Sequence, residues 1–193
     1  MAGEIRVRSE IATLEAIVTS SPGPEFDLMV PENLESYRQR KDGALEKNPD
    51  YLLFDDLVLL SAMQAEHASL VDAIRAVTGF KNHHTWRDLL VQTLGDPAVR
   101  ADVIKRALAL EDALYHPDDR ELDVARGLLE GLDAPRLADA LITGRDPHDN
   151  LPIFSWPTPN ALFARDLWAV VGDAAVMTYA AEPRAGARCC CRA

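Results

Sequence analysis

The alternation of hydrophobic and polar residues predicts two elements in the first 80 residues of the chain. Alternating apolar positions predict a short strand over Thr13–Ser20. An apolar stripe at helical spacing predicts a long helix that Asp55 or Asp56 caps and Gly79 closes. We expect that helix to pack one face on a sheet or on another helix. The polar segment Leu34–Tyr51 is expected to be an exposed loop or a frayed helix.

The stretch from about residue 85 to residue 145 is helical in pattern throughout. Four helix starts are marked by Thr85-Trp86, Asp96-Pro97, Pro117-Asp118-Asp119 and Asp133. The first, third and fourth of these helices are stopped by Gly95, Gly131 and Gly144, and the second is expected to end near Glu111. Four short helices with tight connections predict a small bundle, and nothing in this stretch suggests chemistry.

The remainder of the chain predicts extended structure. Four prolines within thirteen residues disfavour a helix: Pro147, Pro152, Pro157 and Pro159. Leu167–Val171 and Ala174–Tyr179, separated by Gly172-Asp173, then predict a hairpin with a tight turn. Because strands flank a helical segment, the expected fold class is α/β with an inserted helical bundle.

Composition and charge exclude several classes of partner. The 193 residues are 48% hydrophobic, with a formal net charge of −11. Such an acidic chain lacks the basic surface that nucleic acid or an anionic membrane requires. It has no apolar run as long as a membrane span and no signal-peptide core at its start. All three cysteines are adjacent, at Cys189–Cys191, which predicts no disulfide framework and a cytoplasmic location.

One motif carries candidate chemistry. The segment PNALFARD contains Asn160, Phe163, Arg165 and Asp166 just before the predicted hairpin. An ionised aspartate beside an aromatic ring is a good receptor for a planar guanidinium, whose paired N–H donors match two carboxylate oxygens. On spacing alone, the simpler interpretation is a surface ion pair between Arg165 and Asp166.

The segment PNALFARD, followed by AVVGD, resembles a signature of the arginine deiminases, which belong to the guanidine-modifying pentein superfamily. Three other stretches are similar to the same family in the same order. They are the opening strand and PGPE turn (Ser9–Asn33), the start of the first long helix (Leu52–Asp56, with Glu66 and His67), and LLVQTLGDP (Leu89–Pro97).

This resemblance implies an incomplete α/β propeller of ββαβ modules interrupted by a helical domain. The implied divisions are a first module over residues 1–80, an inserted helical bundle over 81–146, and the start of a second module over 147–193. The family has a strand after the residue matching Gly79, where this chain reads Phe80-Lys81-Asn82-His83-His84. We therefore expect that strand to be replaced.

The resemblance also implies an activity, the hydrolysis of L-arginine to L-citrulline and ammonia through a cysteine-linked amidino intermediate, without metal or organic cofactor. Asp166 is the implied catalytic residue that grips the guanidinium. The implied substrate-binding residues are Leu53, Asn160, Phe163 and Arg184, the last of which stands one position earlier than in the family.

The family's catalytic histidine and its cysteine, which lies in a Gly-rich His-Cys-Met-Thr context, have no counterpart among these 193 residues. Cys189–Cys191 lack that context, and the family pattern breaks after Pro183, as a premature stop or frameshift there would explain. The alternative function is therefore a catalytically inactive remnant that serves as a substrate-binding or protein-interaction module. An incomplete propeller would expose a sheet edge, which predicts poor solubility or homo-oligomers.

Overall fold

The fold of the protein is known from a computed structural model that describes residues 7, 9, 11–79, 82–155, 157–162 and 168–177. Its helices are α1 (Leu60–Thr78), α2 (Trp86–Thr93), α3 (Pro97–Tyr115), α4 (Asp119–Gly131) and α5 (Ala134–Thr143). Its strands are β1 (Ala16–Thr19), β2 (Tyr37–Gln39), β3 (Leu45–Lys47), β4 (Asn82–Thr85), β5 (Trp168–Val171) and β6 (Ala174–Met177).

The strands form three two-stranded sheets in the described part of the chain. Strands β1 and β4 pair in parallel, with Ala16 opposite Asn82. The pairs β2–β3 and β5–β6 are antiparallel. The predicted α/β class is thus confirmed. Among the described residues, no helix combines the length and the apolar character that crossing a bilayer requires.

The four-helix bundle is confirmed, because α2 to α5 share one hydrophobic core. Leu94, Leu129 and Leu137 are fully enclosed there, and Phe154 from the following segment packs against them. Burial of this apolar surface is the main stabilising contribution to such a bundle. The helix α3 runs one turn further than its pattern predicted, to Tyr115, and ends where His116 adopts a left-handed conformation with φ of 52°.

The predicted helix starts and the predicted hairpin are also confirmed. Capping side chains accept backbone N–H hydrogen bonds at the first turn of each bundle helix; they belong to Thr85, Asp96, Asp118 and Asp133. Strands β5 and β6 are joined at Gly172, which has a φ of 65°. Val7 exchanges two backbone hydrogen bonds with Gly172, of 2.8 and 3.0 Å, and so joins this hairpin to the start of the chain.

The prediction of an exposed loop or frayed helix over Leu34–Tyr51 was wrong, because β2 and β3 form a hairpin there. Gly43 supplies the positive φ of 87° that the turn between the strands requires. Arg38 and Glu46 lie opposite each other across the hairpin, and the Nε of Arg38 donates to Glu46 at 2.8 Å. Opposite charges directly across a strand pair stabilise it, so a charged sequence formed a hairpin without an apolar face.

Two predictions about the chain around α1 were also wrong. The helix begins at Leu60, and the carboxylate of Asp56 instead accepts the Leu53 N–H at 2.8 Å in a short 3-10 turn, Phe54–Asp56. A strand does follow α1 after Gly79, since β4 occupies Asn82–Thr85. Two neighbouring histidines can extend a strand that has a parallel partner, and β1 provides that partner here.

The expected packing of α1 is only partial in the described residues. None of its side chains is buried, and Leu70 and Val77 are 57% and 86% exposed. Leu60, Met63 and Ile74 of the same apolar stripe are half-buried, and the helix contacts the 3-10 turn Pro24–Leu28.

Arg100 connects α3 to the end of α4. Its Nη2 donates to the carbonyl oxygen of Glu130 at 2.9 Å and to that of Leu132, and lies 3.5 Å from that of Leu129. The last carbonyl groups of a helix have no partner within the helix, and a cation beside them also interacts favourably with the helix dipole. Arg100, which belongs to α3, therefore provides hydrogen-bond donors for the carbonyl groups at the C-terminal end of α4.

We predict that Arg100→Ala lowers the free energy of unfolding by about 1–2 kcal/mol, because it removes charged hydrogen bonds to half-buried carbonyl groups. Urea denaturation followed by circular dichroism measures this change. Arg126→Ala, which removes an exposed arginine from α4, is the control and should change stability by less than about 0.5 kcal/mol. Equal effects of the two substitutions would contradict the assigned role of Arg100.

Candidate functional site

The structure describes only part of the site that the sequence predicted. Asp166, Phe163 and Arg184 lie outside the described residues, as do Cys189–Cys191. Asn160 lies in a 3-10 turn, Pro159–Leu162, of which the backbone is described at that position. The roles predicted for these residues stay predictions.

Leu53 is the predicted site residue whose side chain the structure does describe. It is 41% exposed, whereas its neighbour Leu52 is 4% exposed and donates its N–H to the carbonyl of Asn33 at 2.8 Å. The backbone at Leu53 is therefore fixed on one side by Leu52 and on the other by the Asp56 turn. This arrangement leaves the Leu53 side chain accessible for contact with a ligand.

The chain that leads into the PNALFARD motif is attached to the bundle. Thr158 donates both its N–H and its Oγ1 hydroxyl to the carbonyl of Ile142, each at 2.9 Å. Ala161 is buried and donates its N–H to the carbonyl of Thr158 at 3.0 Å. The end of α5 thus positions the turn that contains Asn160.

One concave feature that the structure describes is a cleft of about 850 Å³, which we name the hairpin cleft. It lies between the β2–β3 hairpin, the end of α3, the helix α4 and the segment Pro152–Ser155. Sequence reasoning missed it because the hairpin was expected to be a loop. The only signal along the chain was the charge pair Arg38 and Glu46, whose significance depends on the strand register.

Arg38 joins the hairpin to α3 at one wall of this cleft. Its Nη2 donates to the carbonyl of Leu114 at 2.8 Å, in the last turn of α3. Its Nη1 lies 3.6 Å from Asp50, and its guanidinium carbon stands 4.8 Å from the centre of the Tyr115 ring. A guanidinium over an aromatic face is attracted by the ring, so Arg38 makes three kinds of favourable contact at once.

Glu111 lines the cleft and is 5% exposed. Its Oε1 accepts the N–H of Ser155 at 3.0 Å and the Ser155 hydroxyl at 2.6 Å. Its Oε2 is enclosed and has no hydrogen-bond partner among the described residues. Burial raises the pKa of Glu111, the hydrogen bonds from Ser155 offset part of that rise, and the negative charge of Asp50 adds to it.

Asp50 and Tyr115 form a half-buried pair near Glu111. The Tyr115 hydroxyl donates to the Asp50 carboxylate. Burial raises the pKa of Asp50, although the hydrogen bond from Tyr115 and the charge of Arg38 act in the opposite direction. Burial and the neighbouring Asp50 also raise the pKa of Tyr115, so its hydroxyl stays protonated and acts as a donor.

A second cavity, of about 720 Å³, lies where the parallel strands β1 and β4 end. The guanidinium of Arg87 is already held there by Asp139, through hydrogen bonds of 2.6 and 2.8 Å. Glu25 is buried and accepts the Gly23 N–H at 2.8 Å, and burial raises its pKa. These charged groups are therefore already engaged, Arg87 and Asp139 with each other and Glu25 with a backbone N–H.

The histidines do not form a metal site in the described part of the chain. No group of three or more metal-ligating side chains occurs there. His83 shares a hydrogen bond of 2.8 Å between its Nε2 and the Thr19 hydroxyl, across the β1–β4 pair. Burial lowers the pKa of His67, and His83 lowers it further.

The fold and the hairpin cleft together define a mixed α/β protein whose helical bundle carries a cleft lined by residues of both charges. Arginine deiminases of Staphylococcus aureus strains Newman, COL and MRSA252 are similar to this chain. Each is 27% identical to it over 184 residues, which cover 88% of this chain and 40% of the relative. This similarity supports a distant relationship, and the chain spans less than half the length of these relatives. No protein-family model matches the chain.

We predict that Glu111→Gln gains stability relative to the unsubstituted protein as pH rises. Since the pKa of Glu111 is raised by folding, its contribution to stability is fully present below the ordinary glutamate pKa and is lost as pH rises through the raised value. Glutamine does not titrate and keeps an oxygen that accepts from Ser155. The difference in free energy of unfolding between the two proteins should therefore grow as pH rises above the ordinary glutamate pKa, and should level off once pH exceeds the raised value.

Urea denaturation across that pH range tests this prediction. Glu130→Gln, which removes an exposed carboxylate from α4, is the matched control and should not reproduce the trend. Glu111→Ala should instead cost about 1–3 kcal/mol, because it leaves both donors of Ser155 without their acceptor. A pH-independent difference for Glu111→Gln would show that the carboxyl is not perturbed by burial.

Proposed function

We propose that these residues supply the arginine-recognition part of an arginine deiminase-type hydrolase. The overall reaction would consume L-arginine and water and release L-citrulline and ammonia. The observation that carries this proposal is the similarity to arginine deiminases over 88% of the chain, together with the PNALFARD motif at 159–166. Similarity of this extent supports a shared ancestor more strongly than any single motif in the sequence does.

In this proposal Asp166 binds the guanidinium of arginine through paired hydrogen bonds to its two oxygens. Phe163 lines the pocket that holds the guanidinium, and Leu53 contacts the substrate from the other side. Asn160 and Arg184 lie toward the amino-acid end of the substrate, where Arg184 pairs with the carboxylate. A guanidinium held in one orientation presents its central carbon for attack, which lowers the entropic part of the barrier.

Two features of the described residues support this assignment. The backbone on both sides of Leu53 is fixed while the side chain is 41% exposed, as a residue that contacts substrate requires. The turn that contains Asn160 is attached to the end of α5 through Thr158. Both segments therefore begin from rigid positions, and rigidity is what a recognition site for a planar cation needs.

A second candidate function is arginine binding or protein interaction without turnover. The observation that favours it is that the three cysteines, Cys189–Cys191, lack the Gly-rich His-Cys-Met-Thr context of the family's nucleophile. In the first candidate, the nucleophilic cysteine and the general acid–base histidine come from outside these 193 residues. The two candidates share the arginine site and differ in whether citrulline is formed.

We predict that the purified chain binds L-arginine and that Asp166→Asn weakens binding by about tenfold or more. The substitution removes a charged hydrogen bond, and such bonds contribute about 1.5–3 kcal/mol. Isothermal titration calorimetry with L-arginine measures the change. Asp123→Asn, which makes the same change at an exposed position of α4, is the matched control and should leave affinity unaltered. Equal binding by both variants would refute the role of Asp166.

Citrulline release distinguishes the two candidates. We predict no release from L-arginine by the purified 193-residue chain, because the cysteine that forms the amidino intermediate has no counterpart in the matching context. A colorimetric assay for citrulline measures this directly. Turnover that Asp166→Ala abolishes, with no second polypeptide present, would establish a complete catalyst and would exclude the inactive remnant.

A further inference from the structure

The β2–β3 hairpin lies against the helical bundle and forms one wall of the hairpin cleft. We propose that this hairpin is a lid, which opens from the bundle as one unit while α2 to α5 stay folded, and that Arg38 is the latch that holds it closed. The proposal rests on the kind of contacts that dock the hairpin and on the separate core of the bundle. It does not depend on the proposed arginine deiminase-type function.

Docking of the hairpin buries almost none of its own apolar side chains. Within Tyr37–Lys47, Arg38 and Glu46 are half-buried and every other residue is exposed. The exposed residues include Tyr37 and Leu45, at 60% and 76%. The hydrophobic effect, which is the main stabilising contribution in the bundle, therefore contributes little to holding the hairpin in place.

Arg38 makes the strongest of the described contacts between the hairpin and the bundle. Its Nη2 donates at 2.8 Å to the carbonyl oxygen of Leu114, and its guanidinium lies over the ring of Tyr115. The side chain of Arg38 is 26% exposed. Charged hydrogen bonds are stronger than neutral ones, and partial burial limits their screening by water, so removal of this side chain should free the hairpin.

Two further described contacts between the hairpin and the bundle are weaker. Lys41 and Glu121 form an ion pair of 3.2 Å, but their side chains are 78% and 51% exposed. His116 Nε2 lies 3.9 Å from Glu46 and carries a charge only when the imidazole is protonated. Exposed ion pairs contribute little to stability, because water and salt screen them. Docking of the hairpin therefore depends mainly on Arg38.

The bundle keeps its core when the hairpin opens. Its enclosed residues, such as Leu94, Leu129 and Leu137, belong to a cluster of buried residues that includes none from Tyr37–Lys47. The carbonyl of Leu114 lies in the last turn of α3, where carbonyl groups have no partner within the helix and can accept from water instead. Opening of the hairpin therefore costs the bundle a contact at one helix end and no part of its core.

The hairpin is expected to open as a single unit. Its backbone hydrogen bonds include one of 2.8 Å from the Arg40 N–H to the Ala44 carbonyl and one of 3.0 Å from the Asn48 N–H to the Ser36 carbonyl. An isolated two-stranded hairpin is marginally stable at best in water, so a hairpin that loses its docking also loses these bonds. Amides that become free together in this way define a unit of local unfolding.

The opening is confined by contacts just beyond the base of the hairpin. Leu52 is 4% exposed and donates its N–H to the carbonyl of Asn33 at 2.8 Å. The Tyr115 hydroxyl donates to Asp50 without the help of Arg38. These contacts keep the chain on both sides of the hairpin in place, so the movement removes one wall of the hairpin cleft and uncovers the Tyr115 ring.

Amide hydrogen exchange followed by two-dimensional NMR tests the proposal. In the unsubstituted chain, Arg40 and Asn48 should be protected, with protection factors at least about tenfold below those of Leu94 and Leu137 in the bundle. Arg38→Gln should lower protection at Arg40 and Asn48 by about tenfold or more, because a charged hydrogen bond is lost. Protection at Leu94 and Leu137 should stay within about twofold, which also verifies that the variant is folded.

Two control variants change other cations of the same hairpin. Arg40 pairs with Asp42 inside the turn at 3.4 Å, so Arg40→Gln should change protection at Asn48 by less than about twofold. Lys41→Gln, which removes the exposed pair with Glu121, should also change it by less than about twofold. An effect of either control as large as that of Arg38→Gln would refute the role of Arg38 as the latch.

Three other results would overturn the lid itself. An unprotected Asn48 amide in the unsubstituted chain would mean that the hairpin is not closed. Equal protection of the hairpin and the bundle would mean that the two open only together, in global unfolding. A parallel loss of protection at Asn48 and Leu137 in Arg38→Gln would show that the bundle does not stay folded without the hairpin.

Discussion

The contacts of Arg38 hold the β2–β3 hairpin against the helical bundle, and the hairpin cleft depends on them. The guanidinium bonds to Glu46 within the hairpin and to the carbonyl of Leu114 at the end of α3, and it stacks on Tyr115. A two-stranded hairpin of three-residue strands is not stable alone in water, so its position must come from such tertiary contacts. Because Arg38 is half-buried, its bonds are less screened by solvent than those of a surface ion pair.

The same contacts explain why the carboxyl groups behind the hairpin are perturbed. Burial has removed much of the water that would otherwise solvate Asp50 and Glu111, and the charge of Arg38 offsets only part of the resulting rise in their pKa values. The pKa of Glu111 therefore rises because desolvation outweighs its two hydrogen bonds from Ser155. A buried carboxyl group that is costly to keep charged makes the stability of the surrounding structure depend on pH.

Sequence alone was sufficient where the structural signal is local. The helix starts at Asp96, Asp118 and Asp133 depend on a side chain and the N–H groups two or three residues away, so the bundle could be predicted in detail. The β2–β3 hairpin depends on a register that brings Arg38 opposite Glu46, and the cleft depends on contacts between residues more than sixty positions apart. No window along the chain contains such contacts, and they were accordingly missed.

The helix α1 shows a different limit of pattern reasoning. Its apolar stripe predicted a helix correctly, yet Leu70 and Val77 are exposed and no residue of α1 is buried. An amphipathic pattern specifies that a face is to be covered and not what covers it. Parallel strands in proteins usually belong to sheets that are covered on both faces, whereas no residue of β1 or β4 is buried in the described part of the chain. In the bundle, by contrast, the apolar residues that form the sequence pattern are the same residues that pack together in the core. The pattern there therefore predicted the helices and their packing at once.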